Sequence, residues 1–369
     1  MQIRQVDVYG YRLRYRYGDY VMSEGRVVNE LDSTVVRLTT DEGLEGWGEV
    51  CPLGATYLPA FADGARAALG PLAAAVCGLD PRELDIVQNH MDQALRGHAY
   101  AKSPIDVACW DLIGKATGCS VTTLLGGRQQ EFFPLYEAVP LGDHEEMTAF
   151  VLARRDAGIH HFQLKVGADP YEDVERARRV VDVTGDEDRI IVDANGGWRL
   201  QDAMVAARLL ESLPRVYLEQ PCATLEECLY VRRHTTLPMI LDEVITDVPS
   251  LLHAYHGGGM EAFNLKISKV GGLSRAKLMR DLAHHLGLRV TIEDTWGGDV
   301  VSAAVSHLVA SSQAGVVFTA SFMNDWVMDH IAGYEPRSRN GVGSAPVGNG
   351  LGIDVDVRHL GEPLFTARA

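Results

Sequence analysis

Cysteine pairs with the spacing of a metal ribbon or redox centre are missing from this chain. The six cysteines, Cys51, Cys77, Cys109, Cys119, Cys222 and Cys228, include no Cys-x-x-Cys and no zinc-type histidine cluster, so they read as buried thiols in a reducing compartment. Long apolar runs are missing too, and none reaches the roughly 20 residues that cross a bilayer. Met1 to Tyr20 alternates charged and apolar residues in place of a basic stub followed by an apolar run, so no secretory signal is expected. Positive charge is scarce: 34 Lys and Arg stand against 50 Asp and Glu, a formal net charge of −16. That balance argues against nucleic acid or an anionic lipid surface as partner. No low-complexity segment occurs. The expectation is a soluble cytoplasmic protein, and 369 residues can bury a substantial core without staples.

What is present changes texture near residue 126. From Gln2 to about Val50 the chain alternates, as in Ser33-Thr-Val-Val-Arg-Leu-Thr-Thr, then turns at Asp41-Glu-Gly; this predicts a small antiparallel sheet. Apolar residues three and four apart then predict helices over Ala60–Val76, Glu83–Leu95 and Ser103–Thr117. After Leu124-Leu-Gly-Gly come eight short apolar runs separated by helical stretches, beginning at Leu135, Phe162, Ile190, Val216, Met239, Phe263, Val290 and Val316. That alternation predicts βαβ units and a parallel sheet. The expected division is an α+β domain over 1–125, completed by 334–369, and a barrel domain over 126–333.

Five runs carry a charged residue at or beside their end: Lys165, Asp193, Glu219, Asp242 and Lys266, at steps of 28, 26, 23 and 24 residues. One strand, one helix and two loops fill such a step, and a closed parallel barrel brings all strand ends to one mouth. Three converging carboxylates, Asp193, Glu219 and Asp242, repel one another unless a cation neutralises them. All-oxygen ligation favours Mg²⁺, with Mn²⁺ as the alternative, over zinc. Lys165 and Lys266 flank the carboxylates from opposite sides. A substrate carboxylate between them could lose its α-proton to one lysine, with metal and ammonium stabilising the enediolate.

Residues carrying a wider likeness are Ala108-Cys-Trp-Asp-Leu-Ile-Gly-Lys-Ala-Thr-Gly, Leu124-Leu-Gly-Gly, Phe162-Gln-Leu-Lys-Val-Gly, Val192-Asp-Ala-Asn, Leu218-Glu-Gln-Pro, Leu241-Asp-Glu and Asn264-Leu-Lys-Ile-Ser-Lys-Val-Gly-Gly. Over essentially the whole chain these resemble the enolase superfamily, in its muconate lactonising and dipeptide epimerase branch. The resemblance implies an α+β capping domain over a modified TIM barrel, (β/α)₇β, metal at Asp193, Glu219 and Asp242, acid/base lysines at Lys165 and Lys266, and a homo-oligomer. One departure stands out: the branch usually has Lys-x-Lys where this chain has Gln163-Leu-Lys165, placing a neutral amide where it could bind a substrate carboxylate. No His on the seventh strand pairs with an Asp on the sixth, which disfavours polyol acids.

Tyr57, Trp296 and Trp326 offer an aromatic wall and Asp294 a carboxylate, a set suited to a small carboxylate substrate with a cationic nitrogen. This resembles family members acting on proline-type compounds. The leading expectation is racemisation or epimerisation at carbon 2 of a proline-type amino acid or its betaine, such as 4-hydroxyproline betaine. The first alternative is dehydration of cis-3-hydroxy-L-proline. Behind it stand N-acylamino acid racemisation, dipeptide epimerisation and cycloisomerisation, and, from another class, a catalytically inactive metal-binding barrel. Tyr20–Asn29 reads as a lid or a surface connection, and Arg96–Lys102 as a helix cap, with anion binding as the alternative.

Overall fold

The computed structural model describes residues 1–369. Three strands, β1 (Ile3–Arg14), β2 (Glu30–Thr40) and β3 (Glu45–Val50), form an antiparallel sheet. Val8 faces Val36 and Val6 faces Leu38 across β1 and β2. The alternation buries one side of this sheet under α1 (Ala62–Val76), α2 (Leu84–Ala94) and α3 (Ala99–Thr117), around Ile3, Val6, Val8, Leu69, Leu72 and Ile105. Helix α3 lies so close to β3 that a Cβ on Gly48 would stand 1.9 Å from the Pro104 carbonyl oxygen. Only glycine permits that approach. Ser103-Pro104 suggests a helix start, since proline suits the first turn, but α3 begins four residues earlier. Gly97 and His98, both at positive φ, turn the chain into it.

The second layer is an eight-stranded parallel sheet of β4 (Tyr136–Val139), β5 (His161–Lys165), β6 (Arg189–Asp193), β7 (Val216–Glu219), β8 (Met239–Leu241), β9 (Ala262–Lys266), β10 (Arg289–Glu293) and β11 (Val317–Ala320). Neighbours in sequence are neighbours in the sheet, and a parallel bridge from Leu135 to Ala320 brings its two edges together. Between successive strands run α4 (His144–Asp156), α5 (Pro170–Val183), α6 (Leu200–Leu210), α7 (Leu225–Arg232), α8 (Val248–His256), α9 (Leu273–Leu286) and α10 (Asp299–Ala310). This is a (β/α)₇β barrel beneath an α+β cap. The strands are buried on both faces, hence their apolar runs.

The C-terminal segment serves both layers. Val342 and Gly343 pair with Pro134 and Phe133 beside the barrel, and β12 (Phe365–Arg368) then adds to the edge of β1. Two further contacts hold cap to barrel. The buried Glu49 of β3 accepts from the backbone N–H of Gly298 at 2.9 Å and of Val301 at 3.2 Å, capping α10 across the domain boundary. His307 of α10 accepts at Nδ1 from the Thr122 amide (3.2 Å), with the Thr122 hydroxyl 2.6 Å away, and Nε2 lies 2.9 Å from the Leu351 carbonyl. Cys77 and Cys119 are only partly buried; all six cysteines are unpaired. No helix is long and apolar enough to cross a membrane.

Candidate active site

The C-terminal ends of the barrel strands bring a dense set of charges to one mouth. Register does this locally: Lys165 of β5 pairs with Asp193 of β6, which pairs with Glu219 of β7. Asp242 follows β8 directly, and Lys266 ends β9 in register with Glu293 of β10. Strands β5 and β9 are four apart in eight, so Lys165 and Lys266 reach the mouth from opposite sides. Asp193, Glu219, Asp242, Lys165, Lys266 and Glu293 are all at most 5% exposed.

Lys165 Nζ donates to Asp193 Oδ2 at 2.5 Å. Lys266 Nζ donates to Asp242 and, at 2.8 Å, to Tyr57 Oη, and lies 3.2 Å from Glu293 Oε1. Lys269 Nζ reaches Asp242 Oδ1 at 2.9 Å and the Asp242 carbonyl at 2.7 Å. Burial works to lower the pKa of Lys165 and Lys266, but Asp193 beside the first and Asp242 beside the second outweigh it, and both are shifted upward. Burial raises Asp242, yet Lys266 and Lys269 together hold it below the usual carboxylate range. Burial and the Asp193 charge hold Glu219 well above that range, and burial with Asp242 pushes the adjacent Glu243 up to about 7. Counted as ions, Asp193, Glu219, Asp242, Glu243 and Glu293 face the ammonium groups of Lys165, Lys266 and Lys269, an excess of two negative charges. A divalent cation with oxygen ligands matches that excess in charge and in donor type.

Between these groups the cavity is small, about 20 Å³, room for roughly one water. The expected aromatic residues surround it. Trp296 and Trp326 stand 5.6 Å apart edge to face, and Trp296 also meets Tyr15 and Tyr20. The Tyr57 ring lies 5.3 Å from Lys266 Nζ. The buried Trp296 Nε1 has no hydrogen-bond partner. Tyr20 and Met22, from the Tyr20–Asn29 segment, also line the cavity. The Arg96–Lys102 stretch enters α3, with Lys102 paired to Asp92 at 2.7 Å.

Two expected substrate contacts look different in place. Asp294 borders the cavity, but its oxygens accept from Ser268 N–H at 3.0 Å, from Ser268 Oγ and from Thr295 N–H at 2.7 Å; burial pushes it up to about 6. Its carboxylate is a backbone staple. The carboxylate turned toward the lysine is Glu293: Tyr136 donates to its Oε2, while the buried Oε1 has the Lys266 ammonium as its one neighbouring donor. The register explains the difference, since side chains alternate along a strand and Glu293, the partner of Lys266, faces inward. Ile292-Glu-Asp holds both carboxylates, and the register with Lys266 is what singles out Glu293. Gln163 lines the cavity, with Nε2 donating to Glu219 Oε1 at 2.8 Å. At the opposite end of the barrel, His160, Glu187 and Asp188 bring possible ligand atoms within 4.8 Å of one another. Arg155 occupies that cluster, 2.7 Å from Glu187 and 2.9 Å from Asp188.

A parallel barrel whose mouth gathers buried carboxylates between two opposed lysines, under an α+β cap, defines an enzyme built for acid–base chemistry on a carbon acid. Family models agree: "Enolase C-terminal domain-like" matches residues 146–359, and "Mandelate racemase / muconate lactonizing enzyme, N-terminal domain" matches 19–126. The chain belongs to the enolase superfamily. It is 44% identical to a cis-3-hydroxy-L-proline dehydratase of Roseibium aggregatum over 99% of both chains, and 28% identical to an N-succinyl-L-Arg/Lys racemase of Bacillus cereus over 85% of both. A Roseovarius nubinhibens ISM protein of the mandelate racemase/muconate lactonizing type, solved as a complex with magnesium, superposes with a TM-score of 0.95 at 33% identity over 100% of both chains.

Proposed function

We propose that this enzyme dehydrates cis-3-hydroxy-L-proline, taking the proton from carbon 2 and expelling the 3-hydroxyl as water. The enamine formed tautomerises to the cyclic imine. The observation that carries this reading is the buried carboxylate of Glu293 at the cavity wall, whose Oε1 has the Lys266 ammonium, 3.2 Å away, as its one partner. A carboxylate oxygen can accept a second donor. The ring N–H₂⁺ of a free imino acid supplies one, whereas the quaternary nitrogen of a betaine has none. The likeness to the dehydratase from Roseibium aggregatum supports the same choice.

Stereochemistry fits the two lysines. In the cis isomer the carboxylate and hydroxyl share one ring face, so the carbon-2 proton lies on the other. Base and acid are then needed on opposite faces, where Lys165 and Lys266 stand. Asp193, Glu219 and Asp242 would hold Mg²⁺, which when bound supplies a Lewis acid for the substrate carboxylate. The protein's own part is to exclude water, to hold the ring nitrogen at Glu293, and to move protons at the two Nζ atoms. Admission of a proline-sized ligand requires that Tyr20, Met22 and the Tyr57 loop draw back. These two coverings are joined, since Arg26 bonds both Ser23 and the Thr56 carbonyl.

Initial rates on cis- and trans-3-hydroxy-L-proline test the reading. The cis isomer should turn over at least tenfold faster in kcat/KM; equal rates, or turnover of neither, would exclude it. Epimerisation at carbon 2 is the second reading, favoured by the opposed lysines and by the racemase among the relatives.

A further inference from the structure

Glu219 is held in an unusual way, because its Oε1 accepts two side-chain amides. Gln163 Nε2 donates from β5 at 2.8 Å and Asn264 Nδ2 from β9, also at 2.8 Å. The two donors come from strands placed symmetrically, each two positions from β7. In a closed parallel barrel, side chains from alternate strands meet on the axis, so this contact follows from the barrel itself. Both donors are buried, Gln163 at 4% and Asn264 at 1% exposure. Asn264 has no place in the cavity lining and its side-chain oxygen Oδ1 is unpartnered. A buried amide that leaves its acceptor unmatched is kept for what its donor does.

We infer that Gln163 and Asn264 are positioning residues that commit one oxygen of Glu219 and so present the other, Oε2, as a single-oxygen ligand for the divalent cation. The inference rests on the metal reading above. It gives Gln163 a task other than substrate binding: it supplies an uncharged donor where relatives of this branch carry a lysine. Groups that orient a ligand from behind typically change metal affinity by about 10–100-fold when removed.

Mn²⁺ serves as the probe, by calorimetric titration and by electron paramagnetic resonance of the bound ion, on the full chain without substrate. Gln163→Met and Asn264→Leu keep side-chain volume and remove the donors. Each should weaken Mn²⁺ binding about tenfold and broaden the resonance, with unchanged circular dichroism. Gln163→Lys, which restores a donor, should bind within threefold of the parent. Should an apolar variant fold poorly, the Gln163→Lys result together with Asn264→Ser, which shortens the donor's reach, carries the test, and Asn264→Ser should bind several-fold more weakly. Parent-like affinity and resonance in the donor-less variants would overturn the clamp while leaving the metal reading standing. Failure of the parent chain to bind Mn²⁺ at all would remove the metal reading itself, and the clamp with it.

Discussion

Tyr57 Oη donates to Asp242 Oδ2 at 2.8 Å while accepting from Lys266 Nζ at the same distance. A residue of the cap thereby touches both a proposed metal ligand and a proposed acid/base lysine of the barrel. Replacing it by phenylalanine keeps the ring and removes both contacts. Tyr57→Phe should lower kcat/KM about 10–100-fold, and cost about 1 kcal/mol in urea unfolding for the lost hydrogen bonds. Parent-like kinetics would show that the cap merely covers the site.

Glu293 offers a sharper test of what the pocket accepts. With Glu293→Gln the side chain keeps its volume but loses the charge that faces the ring nitrogen. KM for a free imino acid should rise at least tenfold, and binding of proline betaine, measured by competition, should change by less than threefold. An equal loss for both ligands would show that Glu293 senses charge alone and that hydrogen bonding at its Oε1 has no part in selection.

Trp296 carries a buried N–H without an acceptor, in a ring held edge to face by Tyr15, Tyr20 and Trp326. We propose a substrate oxygen as its partner. Trp296→Phe should cost about 1–2 kcal/mol in unfolding for the smaller buried ring and reduce kcat/KM about tenfold, read from initial rates on the folded protein. Rates equal to those of the parent would assign the indole to packing alone.

A fourth expectation concerns stability and pH. His307 is buried between Thr122 and Leu351, and burial lowers its pKa from 6.5 to about 4. It is neutral in the fold but takes up a proton once unfolded. At this site the unfolded chain therefore binds more protons between about pH 6.5 and pH 4, so the His307 contribution to stability is complete above that window and declines as pH falls through it. The loss is on the order of 3 kcal/mol across the window. Urea unfolding at several pH values should show it, with a shallower slope for His307→Gln; identical slopes would locate the acid sensitivity elsewhere.

Much of this architecture is legible in the sequence because the barrel strands are short, apolar and evenly spaced. The eight runs from Leu135 to Val316 correspond to the eight strands, and the charged ends Lys165 to Lys266 sit at one mouth because parallel strands all end there. Other features need three dimensions. The early start of α3 is hidden by Pro104, which ordinarily marks a first turn. Asp294 and Glu293 are adjacent in sequence and opposite in direction, so choosing between them requires the register of β9 and β10. Asn264 meets Glu219, 45 positions earlier in the chain, only because the barrel closes. Composition cannot disclose such a contact.

The most direct test of the central claim is proton NMR of the protein with Mg²⁺ and cis-3-hydroxy-L-proline in deuterated water. The account predicts loss of the carbon-2 proton together with loss of the hydroxyl-bearing carbon-3 signal, as the cyclic imine accumulates, and no such change in Lys165→Ala or Lys266→Ala. Exchange of the carbon-2 proton with the hydroxylated ring left intact would contradict dehydration and establish epimerisation in its place.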